Sequence, residues 1–219
     1  MKILVIITGN WGLSPILAPN IQRLKDQMAL TGYTVDYAAI SMTEDFNTYD
    51  DITSFKYKEI SDKKILGRLC DFITKYRDTL DYDWYMRIRP EVELSVPIDF
   101  ATLNEAAMNA RAREYCGPKS ILYGASVGGE GMWESQGNEC RYNDNETIVI
   151  LDDQLILFHR TLIVNRVFEP VTDNRDENEW VHTHLWVSRG VPLNIVGIKM
   201  IFKRKEGNYA FSGHINFER

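Results

Sequence analysis

The segment DWYMRIRPEVEL, residues 83–94, combines reactive side chains with an informative position, because an apolar run leads straight into two carboxylates. Pro90 must interrupt or end the strand that this run predicts, so Glu91 and Glu93 follow the carboxyl end of the strand. Ligands of open α/β sheets bind at that end of the strands. Carboxylate oxygens suit Mg²⁺ or Mn²⁺, which can bridge a protein to substrate phosphates. Two solvated glutamates after a proline are the alternative interpretation of these residues taken alone.

A second candidate segment is the turn TGNWG, residues 8–12, which follows the first predicted strand. The turn lacks the GxxxxGK[ST] pattern of a phosphate-binding loop and the GxGxxG pattern of a dinucleotide-binding turn. The sequence has no HExxH motif either. These absences disfavour hydride transfer and ATP hydrolysis by a phosphate-binding loop.

The elements that must position these residues follow from hydrophobic periodicity. Residues 2–7 predict a strand that is buried on both faces, residues 15–31 predict an amphipathic helix, and residues 34–40 predict a second strand. Pro15 suits the first helical position, and Gly32 suits the left-handed residue that ends the helix. This strand–helix–strand order is the unit that builds a mostly parallel sheet.

The rest of the chain continues the alternation of elements. The pattern predicts a long loop (41–61), a helix (62–76), an Ala-rich helix (102–115) and a mobile Gly-rich loop (124–137). After these it predicts two apolar runs around an acidic pair (149–160), a helix (161–167), another helix ended by Gly190 (177–189) and a late strand (193–202). We therefore expect one Rossmann-like α/β domain with a central, mostly parallel mixed sheet flanked by helices.

Composition and charge narrow the classes of function. The chain has 219 residues, with 25 Lys and Arg against 31 Asp and Glu, and a net charge of −6 disfavours general affinity for nucleic acid or anionic lipid. The longest apolar run near the N-terminus, residues 3–7, is far too short to span a membrane and has no signal-peptide cleavage pattern. Three cysteines without a CxxC predict neither a disulfide framework nor a zinc cluster. We expect a cytoplasmic protein with no membrane span.

The segment at residues 83–94 resembles the one in nucleotide-sugar glycosyltransferases of the GT-A fold, where a strand of DWY-type sequence enters an acidic DxD motif. In this register Arg89-Pro90-Glu91 takes the place of the acidic triplet. Glu91 matches the final acid, which usually holds the metal on the donor diphosphate. Arg89 and Pro90 depart from the pattern, and Arg89 would pair with phosphate oxygens directly. The literal DxD at residues 81–83 precedes the strand, so we interpret it as a turn or cap and rank it second to Glu91 as a metal site.

On the nucleotide side, the resemblance implies a site at the ends of the first two strands. The turn after the first strand lies where these enzymes cradle the nucleoside, with the Gly9 backbone close to the base and Trp11 stacked on it; a tight turn with a buried Trp is the alternative. Lys64 and Arg68, one helical turn apart, match a basic position for the donor, or else form a solvated helix face. The implied nucleotide-binding set is Thr8, Gly9, Asn10, Trp11, Asp36, Lys64, Arg68 and Arg89.

On the acceptor side, LDDQLILF at residues 151–158 resembles the family segment that carries Asp-Gln before an apolar strand. Asp152 and Asp153 need hydrogen-bonding partners, which sugar hydroxyls would supply, unless they cap a helix. Glu179 matches the acid near the acceptor and would act as the general base, or else it is a first-turn glutamate that stabilises a helix dipole. His214 matches the late His that some of these enzymes use as a further metal ligand, although a lone His is usually structural.

Together these segments cover most of the chain in the family's order. The sequence resembles the compact glycosyltransferase domains that large algal (chlorella) viruses encode for capsid glycan synthesis. The resemblance implies one domain over residues 1–219, with a nucleotide-binding half of about 1–95 and an acceptor half of about 96–219, in the host cytoplasm if viral. It implies hexosyl or deoxyhexosyl transfer from a UDP-sugar or related donor to an oligosaccharide or glycoprotein acceptor, with Mn²⁺ or Mg²⁺ as cofactor. A sugar nucleotidyltransferase and a non-catalytic carbohydrate-binding module are the alternatives.

Overall fold

The computed structural model describes residues 1–9, 11, 14–63, 66–94, 96–116, 121–123, 147–165, 167–168, 186, 189–196, 200–204 and 207–209. The helices and strands follow in the chain order β1 (Lys2–Thr8), α1 (Ser14–Ala29), β2 (Thr34–Ser41), β3 (Tyr57–Ile60), α2 (Gly67–Tyr76), β4 (Trp84–Ile88), β5 (Val92–Leu94), β6 (Met108–Cys116), β7 (Ile121–Tyr123), β8 (Thr147–His159), α3 (Arg160–Val164), β9 (Leu193–Ile195), β10 (Met200–Arg204) and β11 (Gly207–Tyr209). None of the helices in these described residues has the length and apolar character needed to cross a bilayer.

The main sheet has the strand order β3-β2-β1-β4-β8-β6-β7, and β9 pairs with β6 outside this path. The strands β3, β2, β1 and β4 are parallel to one another, whereas β8 runs antiparallel to both β4 and β6. A smaller antiparallel sheet has the order β11-β10-β5. The predicted fold class, α/β with a mostly parallel mixed sheet flanked by helices, is confirmed.

The strand β1 lies in the interior of the main sheet, between β2 and β4, and every one of its residues after Lys2 is buried. Ile3, Val5 and Ile7 pack in the cluster that contains the apolar side of α1, while Leu4 and Ile6 pack in the cluster that contains α2. Both faces of the sheet are therefore covered, as the continuous apolar run predicted. Because β1, β2 and β4 are parallel, their carboxyl ends meet at one edge of the sheet.

The predicted first helix is confirmed, and its ending follows the expected chemistry. Gly32 has a φ of 70°, the left-handed conformation that favours glycine, and its N–H donates to the carbonyl of Ala29 at 3.3 Å. The second helix begins at Gly67 instead of residue 62. Before it, the Ser61 hydroxyl accepts a hydrogen bond from the Lys63 N–H at 3.3 Å, a local contact that competes with helical bonding.

Three sequence predictions of secondary structure were wrong. The predicted loop at residues 41–61 contains the strand β3, which pairs with β2 at one end of the strand order given above. The predicted Ala-rich helix at 102–115 is mostly the strand β6, because Met108 and Ala110 are fully buried where the backbone pairs with β8 and β9. The predicted strand at 193–202 is two strands in two different sheets, β9 and β10.

The segment at residues 149–160 was predicted as two apolar runs and is a single strand, β8, that includes the acidic pair. The helix predicted after it is confirmed over Arg160–Val164. The predicted Gly-rich loop at 124–137 lies outside the described residues, as does most of the predicted helix at 177–189. Gly190, expected to end that helix, has a φ of 76°.

Candidate functional site

The candidate site lies at the sheet edge where β1, β2 and β4 end. The Gly9 N–H donates to the carbonyl of Ile40 at 3.2 Å, which ties the end of β1 to the end of β2. On its other side, Gly9 touches the turn after β4. A Cβ atom at Gly9 would lie 2.5 Å from Pro90 Cδ and 3.6 Å from Glu91 Oε2, so only glycine fits there. The two candidate segments from the sequence are therefore in direct contact.

Glu91 forms a two-point ion pair with Arg89. Arg89 donates from Nη2 to Glu91 Oε1 at 3.1 Å and from Nε to Oε2 at 3.4 Å. The Arg89 side chain is 28% exposed, whereas that of Glu91 is 8% exposed. The side of the ion pair that faces solvent is therefore the guanidinium. Guanidinium groups recognise phosphate oxygens through the same forked geometry that they use for carboxylates.

Arg68 links α2 to this edge. Its Nη1 donates to the carbonyl of Gly9 at 3.2 Å, and its Nε donates to the carbonyl of Lys63 at 2.7 Å. Burial lowers the pKa of the Arg68 guanidinium, nearby Asp45 raises it, and nearby Arg89 lowers it further. An arginine that is 8% exposed is still charged at neutral pH, since guanidinium pKa values are so high. Two neighbouring guanidinium groups, those of Arg68 and Arg89, therefore lie at this edge. Arg68 was predicted from the sequence as a basic residue that binds the nucleotide-sugar donor.

Arg87 was missed in the sequence reasoning. It is the fourth of the five residues of β4, is 2% exposed, and donates from Nε to the Thr8 hydroxyl at 2.6 Å. Burying a charge is costly unless it is hydrogen-bonded, so the Thr8 side chain, itself 1% exposed, helps to hold Arg87 below the edge. The available signal was a lone arginine within the apolar run WYMRI.

Trp11 follows the second of its two predicted alternatives, a buried residue in a tight turn. The side chain is 2% exposed, and its ring packs edge-on against Phe46 and Phe55. Its Nε1 donates to the carbonyl of Ile40 at 3.3 Å, and its backbone N–H donates to Asp45 at 2.8 Å. The ring is therefore not available to stack on a base, and Trp11 instead holds the backbone of the turn.

Asp36 was predicted in the nucleotide-binding set, and the structure corrects its position. It lies near the start of β2, four residues before Ile40, which is about 13 Å along a strand. Its carboxylate accepts hydrogen bonds from Tyr82 at 2.6 Å and Lys56 at 2.9 Å. Burial raises the pKa of Asp36, but the bonds from Lys56 and Tyr82 outweigh burial, and the net pKa is lowered. Asp36 is therefore a structural residue remote from the edge.

The literal DxD at residues 81–83 also lies at the opposite edge of the sheet. Asp81 pairs with Lys2 Nζ at 2.8 Å, and Asp83 accepts from the Lys2 backbone N–H at 2.8 Å. Both precede β4, whereas ligands of such sheets bind beyond the carboxyl ends of the strands. Its interpretation as a turn is the one that the contacts support.

The backbone of Asp152 and Asp153 passes close to the candidate site. The Arg89 N–H donates to the carbonyl of Gln154 at 3.1 Å, directly beyond the last β4–β8 pair. The ladder between β6 and β8 shifts register here, from Ala110 opposite Ile156 to Ala112 opposite Leu151. An extra stretch of β8 that contains the acidic pair is therefore placed at the edge. The predicted residues Asn10, Lys64, Glu179 and His214 lie outside the described residues.

A cavity of about 440 Å³ opens beside Arg68. It lies where β2 and β3 end against α2, and Arg68 is the residue that connects it to Gly9 and hence to the Arg89–Glu91 pair. Its lining combines apolar, acidic and basic side chains, contributed by Ile40, Glu59, Ile60, Ser61, Asp62, Arg68, Asp71, Phe72 and Lys75. A volume of this size is typical of small-molecule sites.

The contacts of Glu91 bear on the predicted metal. Mg²⁺ demands near-octahedral oxygen ligands, and both oxygens of Glu91 are engaged by Arg89. Within the part of the chain that the structure describes, no group of three or more His, Cys, Asp or Glu could hold a metal ion. The described donor set does not fit a metal on Glu91. The cofactor stays a prediction that depends on residues outside this set, such as His214.

Comparison with known proteins places the fold. No protein-family model and no curated protein sequence matches the chain. A CMP:2-keto-3-deoxy-manno-octonic acid synthetase complexed with CTP is 12% identical, with a TM-score of 0.53 over 90% of this chain and 89% of that chain. A protein described as a glucose-1-phosphate thymidylyltransferase from Bacillus anthracis, in complex with a sucrose, is 14% identical, with a TM-score of 0.52 over 92% of this chain and 89% of that chain.

A glycosyltransferase involved in the glycosylation of the major capsid of PBCV-1 is also similar. It is 11% identical, with a TM-score of 0.46 over 88% of this chain and 79% of that chain. At these identities, the first two similarities establish the fold. The chain has the α/β fold of a synthetase that binds CTP and of a sugar-phosphate thymidylyltransferase.

Proposed function

We propose that the protein is a glycosyltransferase that moves a sugar from a nucleotide-sugar donor, with a UDP-sugar favoured, to a carbohydrate acceptor. The observation that carries this proposal is the contact of Gly9, Arg68 and the Arg89–Glu91 pair at the carboxyl ends of β1 and β4. A diphosphate can come close to the backbone at Gly9, which has no side chain, and its oxygens can accept hydrogen bonds from the neighbouring guanidinium groups. The fold shared with enzymes of nucleotides and sugar phosphates supports this choice.

The cavity beside Arg68 is the proposed location of the nucleoside. Ile60, which is 52% exposed, supplies apolar surface for a base, while Asp62 and Asp71 supply carboxylates that accept hydrogen bonds from ribose hydroxyls. A nucleoside seated there has its phosphates directed past Arg68 and Gly9. This placement shifts the nucleoside from the Trp11 ring, which is buried, to the α2 side of the edge.

The chemical task of the edge is to stabilise charge on the leaving group. When the sugar leaves the donor, negative charge develops on the diphosphate, and preorganised cations at a partly buried site stabilise it more than water does. Arg68 and Arg89 are two such cations, held by contacts to Gly9 and Glu91 respectively. The acceptor is proposed to approach along β8, where Asp153 would accept the proton of its hydroxyl. Glu179, which lies outside the described residues, is the other proposed base.

A sugar nucleotidyltransferase is the second candidate, because two of the similar structures, with TM-scores of 0.53 and 0.52, are a CMP:2-keto-3-deoxy-manno-octonic acid synthetase and a protein described as a glucose-1-phosphate thymidylyltransferase. Such an enzyme must neutralise a triphosphate and usually has a basic, Gly-rich signature after the first strand. The turn TGNWG provides none, and the sequence has no Lys or Arg between Lys2 and Arg23. Glycosyl transfer is therefore the preferred proposal. The capsid-glycan setting stays a prediction from the sequence.

The deciding experiment is to identify the leaving group. The purified protein is incubated with UDP-, GDP- and CMP-sugars and a panel of oligosaccharides, and separately with nucleoside triphosphates plus sugar 1-phosphates. We expect acceptor-dependent release of UDP. Release of pyrophosphate from the second set would establish nucleotidyl transfer instead. Carbohydrate binding without turnover in either set would mean that the protein is a binding module.

A further inference from the structure

We propose that the guanidinium of Arg89, held by Glu91, neutralises the donor diphosphate at the position where the sequence predicted a divalent metal. The inference rests on the proposed function, since it concerns the same site. It makes Arg89 a phosphate-binding residue and Glu91 a positioning residue. The ligand class is a nucleoside diphosphate, bound without a metal ion.

The first observation is the contact pattern of Glu91. A carboxylate that serves as a metal ligand offers its oxygens to the ion, but both oxygens of Glu91 lie within 3.4 Å of Arg89 nitrogens. A metal there would have to displace the guanidinium and then stand beside it, with two like charges in contact. The side chain of Glu91 is also only 8% exposed, which leaves little surface for an ion that keeps several waters.

The second observation is the direction in which the pair presents its charge. Arg89 is the more exposed member at 28%, so a ligand that approaches the edge meets the cation before the carboxylate. Pro90 fixes the backbone between the two residues, and its ring touches Gly9. Arg89 is therefore held at two points. Its guanidinium is held by the Glu91 carboxylate, and its backbone N–H donates to the carbonyl of Gln154 at 3.1 Å. An anchored guanidinium loses less entropy when it binds phosphate.

The third observation is the second guanidinium. Arg68 donates to the Gly9 carbonyl beside the Arg89–Glu91 turn, and burial lowers its pKa, with a further lowering from the nearby charge of Arg89. Two like charges held together at a partly buried edge repel each other, and a diphosphate that bridges them relieves this repulsion. The two guanidinium groups and the Glu91 carboxylate together leave one net positive charge at this edge for the diphosphate.

The transfer step balances without a metal. The bond from the sugar C1 to the diphosphate oxygen breaks, and its electron pair leaves with the nucleoside diphosphate. The acceptor oxygen forms the new bond to C1 and gives its proton to a carboxylate base. Arg89 and Arg68 stabilise the charge that builds on the departing phosphate oxygens.

The test is calorimetric titration of the full chain with UDP and with uridine, each in EDTA and in Mn²⁺. We expect the unmodified protein to bind UDP equally well in both conditions. Arg89→Met should weaken UDP by about tenfold to a hundredfold, the contribution of charge-assisted hydrogen bonds, and leave uridine unchanged. Glu91→Gln should weaken UDP but not uridine, equally with and without Mn²⁺, whereas a merely structural effect would weaken both ligands.

A matched control is Arg23→Met, which removes another arginine–glutamate pair, that of Arg23 on α1 with Glu93. It should leave both ligands unaffected. If Arg89→Met does not fold, Arg89→Lys replaces it, because lysine keeps the charge and loses the fork; UDP should again weaken selectively.

Three results would overturn the inference. UDP binding that is lost in EDTA and restored by Mn²⁺ would assign the phosphates to a metal and leave the proposed function standing. Unchanged UDP affinity in a folded Arg89 variant would mean that Arg89 does not bind the phosphates, and it too would leave the proposed function standing. If UDP fails to bind in both conditions, CMP and GDP are titrated in the same way; failure of all three would mean that both the proposed function and this inference are wrong.

Discussion

Replacing Gly9 by Ala tests the contact on which the candidate site depends. The added methyl group would lie 2.5 Å from Pro90 Cδ and 2.9 Å from Pro90 Cγ. Carbon atoms pack best at about 3.5–4.0 Å, so the proline ring must move by about 1 Å. Because a proline ring cannot swing aside as a long side chain does, its backbone moves with it, and Glu91 follows.

Two magnitudes follow from this displacement. Forcing an extra methyl into a packed region costs about 1–3 kcal/mol of folding free energy. For a chain of this size each kcal/mol lowers Tm by about 2–4 °C, so Gly9→Ala should lower Tm by about 2–12 °C. A displacement of about 1 Å in a catalytic group can cost about a hundredfold in rate, so the loss of transferase activity should be far larger than the loss of stability.

The assays are thermal unfolding by circular dichroism, calorimetry with UDP, and the turnover assay described above. The control is Gly32→Ala, where φ is 70° and no atom lies within 4 Å of the added methyl. That variant should lose about 1–2 kcal/mol through backbone strain and keep its UDP affinity. An unchanged Tm and unchanged UDP affinity in Gly9→Ala would refute the contact between the ends of β1 and β4.

Three further predictions address single residues. Asp36→Asn should lower the free energy of unfolding at neutral pH, and the difference from the unmodified protein should vanish as the pH falls below the ordinary carboxyl pKa of 3.8 towards the lowered folded value, as Tm measured against pH would show. Trp11→Phe should cost about 1–3 kcal/mol through lost packing and the lost indole bond, yet leave UDP affinity unchanged, because the ring is buried; a large loss of affinity would restore the stacking role. Asp153→Asn or Glu179→Gln should lower transfer by about 10²–10⁴ with UDP affinity retained, and a loss of UDP binding would put that residue on the donor side.

The sequence was informative where the signal is local and periodic. The apolar run of β1, the capped helix α1 and the strand that ends before Pro90 were all predicted correctly. Each depends on residues within one segment, whose hydrophobic period and proline or glycine boundaries determine the element. The strand β6 could not be predicted in this way. Its alanines favour a helix, and it is a strand because it pairs with β8 and β9.

The candidate site divides in the same way. Glu91, Arg89 and Gly9 were identified from residue type and position, but whether they meet depends on the parallel pairing of β1 with β4, which joins residues about eighty positions apart. Trp11 and Asp36 have residue types that suit a nucleotide, yet packing buries the first and the strand direction places the second far from the edge.

The α/β class and the strand end that holds the candidate site could therefore be predicted from the order of the residues, because hydrophobic period and chain breakers act over a few neighbouring residues. The pairing of Arg89 with the Glu91 carboxylate and the hydrogen bond from Arg68 to the Gly9 carbonyl could be seen only in the folded chain. Those contacts depend on burial and on charges brought together from distant segments. Pairwise electrostatics of that kind vary with distance and local dielectric, neither of which is written in the order of the residues.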